Sequence, residues 1–391
     1  MLSQTGRSAL TFPMLVSGFV AVLVGYSSSA AIIFQAAQAA GASAALTGGW
    51  LAMLGIAMGI CSLGLSLWTR MPILCAWSTP GAALLATSLH GLSINEAVGV
   101  FIFANALILL SGVTGLFARI MHIIPPALAS AMLAGILLRF GLDAFTGLQS
   151  DVALCGAMCL TWLLARRWLP RYAILATLAA GVAVALARHA IHFPADAARF
   201  ALPQAIMPHF SLTALLGVGV PFFLVTMASQ NAPGIATLHA HGYRPSISAL
   251  MSWTGLVALL LSPFGGFSVC IAAITAAICM GEEVDADPQR RWIAAALAGL
   301  FYLLAGFSGA LIATLFVALP APLIATLAGL ALLSTFSGSL TRALADADTR
   351  DTAVITFLVT ASGITLLGIG AAFWGLVAGL IAHLILTPRR G

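Results

Sequence analysis

The segment Met71–Leu85, with the sequence MPILCAWSTPGAALL, decides how this chain folds. It is apolar enough to be buried, yet the cluster Ser78–Gly81 is unlike the interior of a continuous helix, because a proline there removes a backbone hydrogen bond. Ser78 or Thr79 suits an N-cap, and Pro80 suits the first helical position. We therefore predict a short extended stretch followed by a half-helix that begins near Thr79.

The composition of the whole chain places this segment in a membrane. Of the 391 residues, 61% are hydrophobic and only 7% are charged, whereas an average soluble domain has about 25% charged residues. Apolar runs follow one another almost end to end, and a helix of ~20 such residues crosses a bilayer. A water-soluble globular protein is excluded. We predict an all-α polytopic membrane protein with about fourteen transmembrane segments.

An internal repeat divides the chain into two halves. At an offset of 194 residues, Leu109–Gly115 (LLSGVTG) aligns with Leu303–Gly309 (LLAGFSG), and 11 of the 30 residues from 109 to 138 are identical without gaps. Each half then has about seven segments, and because seven is odd the second half enters from the opposite side. This predicts two inverted 7-helix repeats, which are typical of secondary transporters and place the substrate near the bilayer midplane at broken helices.

The second half carries a matching break. Its third segment, Pro263–Ala276, contains Gly265-Gly266, and we expect Ser268 to lie near the start of the next half-helix. Helices 3 and 10 are thus predicted to be broken, with their N-termini facing each other, and unpaired N–H groups at such ends attract anions. Two polar clusters would line the same cavity: Tyr26–Ser29 in the first helix and Thr226–Gly234 at the end of the eighth.

The few charges are arranged in a way that fits an anion transporter. All sixteen cationic residues are arginines, and alternation through fourteen segments puts thirteen of them on the inner side and three on the outer side, as the positive-inside rule requires. None of the eleven acidic residues lies in the middle of an apolar run. We therefore expect a small anion, held by backbone dipoles and neutral side chains. Because the membrane potential opposes anion entry by ~2.3 kcal/mol per 100 mV, proton symport is the simplest coupling.

Three strings resemble the BenE-type benzoate/proton symporters: Ala76–Leu84 (AWSTPGAAL), Met227–Gly234 (MASQNAPG) and Ile271–Cys279 (IAAITAAIC). The resemblance extends over nearly the whole chain. It implies the uracil-permease fold of seven-plus-seven inverted repeats, in which helices 1–4 and 8–11 form a core and helices 5–7 and 12–14 form a gate. The implied divisions are core 10–118 and 205–309, and gate 119–195 and 310–388. Nucleobase members of that fold use acidic residues on helices 8 and 10, which are absent here and leave the proton-coupling group unassigned.

These observations predict an importer of benzoate or a similar small aromatic carboxylate, coupled to protons by alternating access. The carboxylate would meet N–H groups near Thr79–Gly81 and Cys270–Ala272, and the ring would rest near Tyr26 or Phe267. The candidate binding residues are Tyr26, Ser28, Ser78, Thr79, Pro80, Gly81, Ser229, Gln230, Asn231, Ser268, Cys270, Ile271 and Ala272.

The alternative is an exchanger or channel for an inorganic anion on the same fold. We expect no enzymatic activity, cofactor, metal site or nucleic-acid partner, since none of the corresponding motifs is present. The six cysteines are interpreted as small packing residues. The expected location is the bacterial inner membrane, among lipid, with both termini in the cytoplasm. The oligomeric state stays open, and a homodimer is compatible with the fold analogy alone.

Overall fold

The computed structural model describes residues 10–117, 125–192 and 203–386. The orientation argument rests partly on five arginines outside these ranges, namely Arg7, Arg119, Arg199, Arg389 and Arg390. The expected domain boundaries at residues 118, 119, 195 and 388 also lie outside them.

Within the described residues, the first half contains seven helices and one short strand. In chain order they are α1 (Phe12–Ala39), α2 (Ala44–Thr69), β1 (Cys75–Ala76), α3 (Thr79–Ser88), α4 (Ile94–Val113), α5 (Pro126–Ser150), α6 (Val152–Trp168) and α7 (Ala173–Ala187). A single 3-10 turn at Pro170–Tyr172 leads from α6 into α7.

The second half repeats this order with one additional helix. Its elements are α8 (Leu212–Ala240), α9 (Ile247–Phe264), β2 (Cys270–Ile271), α10 (Ile274–Ile278), α11 (Trp292–Phe307), α12 (Gly309–Ala318), α13 (Ala321–Leu344), α14 (Arg350–Ala361) and α15 (Ala371–Leu386). Within the described residues, eight helices are long and apolar enough to cross a membrane. The two broken segments and the shorter helices α6, α7, α14 and α15 complete the fourteen predicted segments, and α12 connects α11 to α13.

Helix packing confirms the inverted repeat. Helix α2 packs along α11, and the repeat-related pair α9 and α4 packs in the same way. The glycines that align in the sequence lie at these two crossings: a Cβ added at Gly112 would be 2.4 Å from the Ser252 nitrogen, and one at Gly306 would be 2.8 Å from the Ile56 nitrogen. Small residues let helix backbones approach closely in lipid, so the first glycine of the repeated Gly-x-x-Gly has the same structural purpose in both halves.

The two broken segments meet as a two-stranded antiparallel sheet. Cys75 pairs with Ile271 and Ala76 with Cys270, and the antiparallel direction is the one that inverted repeats produce. Helix α3 begins at Thr79, as predicted, and its N-cap is Ser78, whose hydroxyl accepts the N–H of Gly81 at 3.0 Å.

The second break differs from the prediction. Ser268 is not near a helix start, because α10 begins six residues later, at Ile274, and has only one turn. The intervening residues stay extended to pair with β1, and Gly265 makes the preceding turn with a φ of +88°. The Ser268 hydroxyl instead accepts the N–H of Ser78 at 2.9 Å, which joins the two broken segments.

The polar cluster of the eighth segment also differs from the prediction. Helix α8 does not end at this cluster but runs on to Ala240. Met227–Asn231 forms a π-helical turn, in which the N–H of Ala232 reaches the carbonyl of Met227. Such wide turns accommodate an interruption of the usual hydrogen bonds, which explains how Pro233 is tolerated. The cluster therefore lies within the helix.

Candidate functional site

A cavity of about 660 Å³ lies beside the two broken segments and is bordered by α1, α2, α3, α6, α7, α8, α10, α11 and α13. The broken segments supply Ala76, Trp77, Thr79, Pro80 and Ala273–Thr275 to its wall. Backbone without regular hydrogen bonding is tolerated at membrane depth where it is enclosed by protein or lines a cavity. The cavity thus explains why both segments can be broken here.

Five of the predicted binding residues line this cavity, and these are Ser28, Thr79, Pro80, Ser229 and Gln230. The hydroxyl of Ser28 donates to the Gly25 carbonyl at 3.1 Å within its own helix. The Gln230 amide is half-buried and has no hydrogen-bond partner within the described residues. Thr275 of α10 adds another hydroxyl. Together they form a polar wall of neutral side chains, defined here as Ser28, Thr79, Ser229, Gln230 and Thr275.

The other eight candidates do not line the cavity: Tyr26, Ser78, Gly81, Asn231, Ser268, Cys270, Ile271 and Ala272. Several are fully buried and hold the polar wall in place. Asn231 accepts the N–H of Ile271 at 2.9 Å, and Thr226 donates to the Ser78 hydroxyl at 3.2 Å. Their contacts are with the protein itself.

The expectation of free N–H groups at both breaks is wrong for three residues. The N–H of Gly81 is bonded to Ser78, that of Ile271 to Asn231, and that of Ala272 to the Leu74 carbonyl at 2.9 Å. Buried backbone donors are almost always paired, and here the partners come from α8 and from the segment preceding β1. A ligand in the cavity would meet side chains more than backbone.

The aromatic residues around the cavity are also different from those expected. Phe267 is fully buried and packs against Phe101 and Phe222, away from the cavity. Tyr26 lies edge-on to Trp77, with ring centroids 4.8 Å apart, and it is Trp77 that lines the cavity. The Trp77 indole N–H donates to Ser29 at 2.7 Å, which fixes the ring.

Four charged or aromatic lining residues were not identified from the sequence: Trp162, Arg166, Tyr302 and Arg342. Tyr302 is one polar side chain in the long apolar run of α11, which is a signal that could have found it. The two arginines were counted only as evidence of orientation. Nothing local in the sequence places α6 and α13 opposite the broken segments.

The cavity has an uneven distribution of charge. Arg166 and Arg342 line it, whereas no acidic side chain and no histidine does so among the described residues. No group of three or more His, Cys, Asp or Glu residues suited to a metal occurs in the described ranges. Five cysteines are buried and Cys159 is half-buried. The cavity is therefore cationic and otherwise neutral.

Fourteen segments in inverted repeats, with a central cavity at two broken helices, define a polytopic membrane transport protein. The sequence model of the BenE family, described as benzoate membrane transport protein, matches residues 8–385. The chain belongs to this family.

Two relatives cover nearly the whole chain. Inner membrane protein YdcO of Escherichia coli (strain K12) is 56% identical over 375 residues, which are 96% of this chain and 96% of that protein. A protein named benzoate membrane transport protein, from Acinetobacter baylyi (strain ATCC 33305 / BD413 / ADP1), is 38% identical over 391 residues, covering 100% of this chain and 99% of the relative.

Solved structures share the fold at low sequence identity. The transmembrane domain of the cyanobacterial bicarbonate transporter BicA has a TM-score of 0.61 at 13% identity, covering 94% of this chain and 97% of that domain. SLC26A9 has a TM-score of 0.65 at 13% identity, covering 95% of this chain and 65% of its own. The likeness establishes an all-α polytopic membrane fold.

Proposed function

We propose that this protein imports benzoate or a similar small aromatic carboxylate by proton symport with alternating access. The observation that carries the proposal is one cavity that combines neutral donors, aromatic side chains and cationic residues. Its volume of about 660 Å³ is in the range of small-molecule sites, ~300–1,000 Å³. The name of the Acinetobacter relative, 38% identical, supports benzoate as the substrate.

The polar wall suits the carboxylate end of such a substrate. Hydroxyl and amide groups donate hydrogen bonds without bringing a negative charge that would repel the anion. Thr79, Ser229 and Gln230 line the cavity from two helices, α3 and α8. We assign the carboxylate to these three side chains; Ser28 borders them, but its hydroxyl donates to the Gly25 carbonyl at 3.1 Å. Buried candidates such as Asn231 and Ser78 form hydrogen bonds that hold this polar wall in place.

The aromatic residues suit the ring. Trp77 and Tyr302 both line the cavity, and aromatic pairs favour edge-to-face or offset contacts worth ~0.5–1.5 kcal/mol. An aromatic substrate gains from these contacts, whereas a small hydrated inorganic ion does not. This favours an importer of an aromatic carboxylate over the second candidate, an exchanger or channel for an inorganic anion. The second candidate is supported by the fold likeness to BicA.

Alternating access requires one part of the protein to move against another. We propose that residues 10–118 and 205–309 form the core, and that 119–195 and 310–388 form the gate. The cavity has both kinds of wall, with Thr79 and Gln230 on the core side and Arg166 and Arg342 on the gate side. Following the positive-inside rule, we propose that these arginines, both termini and the mouth of the cavity are on the cytoplasmic side. The relative named as an inner membrane protein, 56% identical, supports that membrane.

Proton coupling supplies the driving force in this proposal. Carrying one negative charge inward against ~100 mV costs ~2.3 kcal/mol, and an accompanying proton removes that cost. The test is accumulation of labelled benzoate by the purified protein in liposomes with an imposed inward proton gradient. We expect accumulation that collapses with a protonophore and that excess bicarbonate or chloride does not inhibit.

A matched pair of variants controls this experiment. Thr79 begins helix α3 and Thr87 lies in its last turn, but Thr87 bonds to the Leu84 carbonyl at 2.9 Å and does not line the cavity. We expect Thr79→Ala to raise the KM for benzoate and Thr87→Ala to leave it unchanged. Failure of the unaltered protein to accumulate benzoate, with saturable uptake of an inorganic anion instead, would replace the proposal with the alternative.

A further inference from the structure

Two arginines face the cavity from the helices opposite the broken segments. Arg166 lies near the end of α6 and Arg342 near the end of α13, and both are exposed. Neither forms a salt bridge within the described residues. By contrast, Arg188 contacts Asp151 at 2.5 Å and Arg290 contacts Asp285 at 3.4 Å. The guanidinium groups at the cavity therefore retain donors for a ligand.

The Arg342 side chain lies along α13 toward the preceding turn. One of its nitrogens, Nη1, is 3.5 Å from the position that a Cβ would take at Gly338, and Nη2 contacts the Ser339 hydroxyl at 3.3 Å. Ser334, Gly338 and Arg342 follow one another at intervals of four residues and all line the cavity. The absence of a side chain at Gly338 leaves room beside the guanidinium.

Helix α6 presents an aromatic ring and a cation together. Trp162 and Arg166 are four residues apart, so they share one face of the helix, and both line the cavity. Arginine binds carboxylates through two parallel hydrogen bonds, while the indole offers a face for an apolar ring. The pair has the chemistry to hold both ends of an aromatic carboxylate.

We propose that Trp162, Arg166 and Arg342 form a second binding station for an aromatic carboxylate, separate from the polar wall. The substrate occupies it on the way between the polar wall and the mouth of the cavity. This inference rests on the proposed function for the class of ligand. Its own basis is a pair of arginines without a carboxylate partner, in a cavity that has no acidic lining residue among those described.

The internal repeat indicates that this binding station exists on only one side of the membrane. At the offset of 194 residues that relates the halves, the position of Arg342 corresponds to Leu148 in α5. A pathway on the other side of the membrane, built from the symmetry-related helix, would have an apolar side chain at that place. The station therefore acts on one face of the membrane.

The test is a titration of the purified full-length protein in nanodiscs with benzoate, followed by tryptophan fluorescence at several salt concentrations. We expect two binding phases, of which one weakens with salt because exposed charges are screened. Arg166→Gln and Arg342→Gln should each weaken that phase about fivefold, the upper range for an exposed ion pair. The double variant should lose it and keep the salt-independent phase, which Gln230→Ala should weaken instead.

Arg167 supplies the matched control, since it is adjacent to Arg166 but lies over the Trp168 ring, 5.7 Å from its centroid, and does not line the cavity. Arg167→Gln should change neither phase. The station is refuted if the double variant binds benzoate like the unaltered protein, or if Arg167→Gln has the same effect. In either case transport by the unaltered protein would leave the proposed function intact, whereas no benzoate binding at all would overturn both proposals.

Discussion

Gln230 and Asn231 are neighbours in α8 with similar side chains, yet their surroundings differ. Gln230 is half-buried and lines the cavity, whereas Asn231 is fully buried and accepts the N–H of Ile271 at 2.9 Å. One amide is available to a ligand and the other closes the hydrogen bonding of β2. Both residues belong to the π-helical turn Met227–Asn231, within which one side chain lines the cavity and the other bonds to β2.

This difference predicts opposite effects of two alanine substitutions. Asn231→Ala should lower the free energy of unfolding by about 1–3 kcal/mol, because it leaves a buried N–H without an acceptor. Gln230→Ala should leave stability within about 0.5 kcal/mol and raise the KM for benzoate. Thermal unfolding in detergent and uptake by proteoliposomes measure the two effects. Equal loss of stability in both variants would contradict the assignment.

Two equivalent helix crossings contain glycines that the internal repeat relates. Gly112 and Gly306 are 194 positions apart, and each lets its helix approach a partner backbone closely. A methyl group at Gly112 would lie 2.4 Å from a backbone nitrogen of α9, and one at Gly306 would lie 2.8 Å from a backbone nitrogen of α2. Backbone atoms cannot move aside as a flexible side chain can.

We therefore predict that Gly112→Ala and Gly306→Ala each destabilise the protein by about 1–3 kcal/mol, the usual cost of overpacking. Gly156→Ala in α6 is the control, because its added methyl group would meet only the Leu148 side chain at 3.7 Å, an ordinary contact. The measurement is the midpoint of thermal unfolding for all three variants. A midpoint unchanged in Gly306→Ala would mean that the α2–α11 crossing is looser than the structure indicates.

In our proposal, the cavity opens to only one side of the membrane. Ser334 of α13 lines it and is exposed, and Ser150 is exposed at the end of α5 next to Asp151. The positive-inside rule assigns the two serines to opposite sides of the membrane. Their accessibility therefore reports the orientation of the chain.

We predict that a membrane-impermeant thiol reagent labels Ser334→Cys in inside-out vesicles and Ser150→Cys in right-side-out vesicles. The background should be Cys159→Ala, since the other five native cysteines are buried. Benzoate should slow the labelling of Ser334→Cys because it occupies the same cavity. The reverse pattern of labelling would show that the termini and the arginines lie outside the cytoplasm.

Much of the fold could be predicted from local signals. The shortage of charge indicates the membrane, the offset alignment indicates the repeat, and Ser78 with Pro80 indicates where α3 begins. Each of these signals lies within a few residues or in a periodic pattern. The role of Ser268 could not be predicted in this way, because its partner Ser78 is 190 residues away in sequence.

The sequence by itself determined a membrane protein of two inverted halves with breaks in matching places, and its resemblance indicated the family. Only the tertiary structure decided which polar groups are available in the cavity. In the sequence, a serine, threonine or amide residue looks the same whether its side chain binds a ligand or forms a hydrogen bond with a buried backbone group. Contacts between distant segments assign Asn231 and Ser268 to the backbone, leave Gln230 and Thr79 at the cavity, and bring Arg166 and Arg342 to its wall.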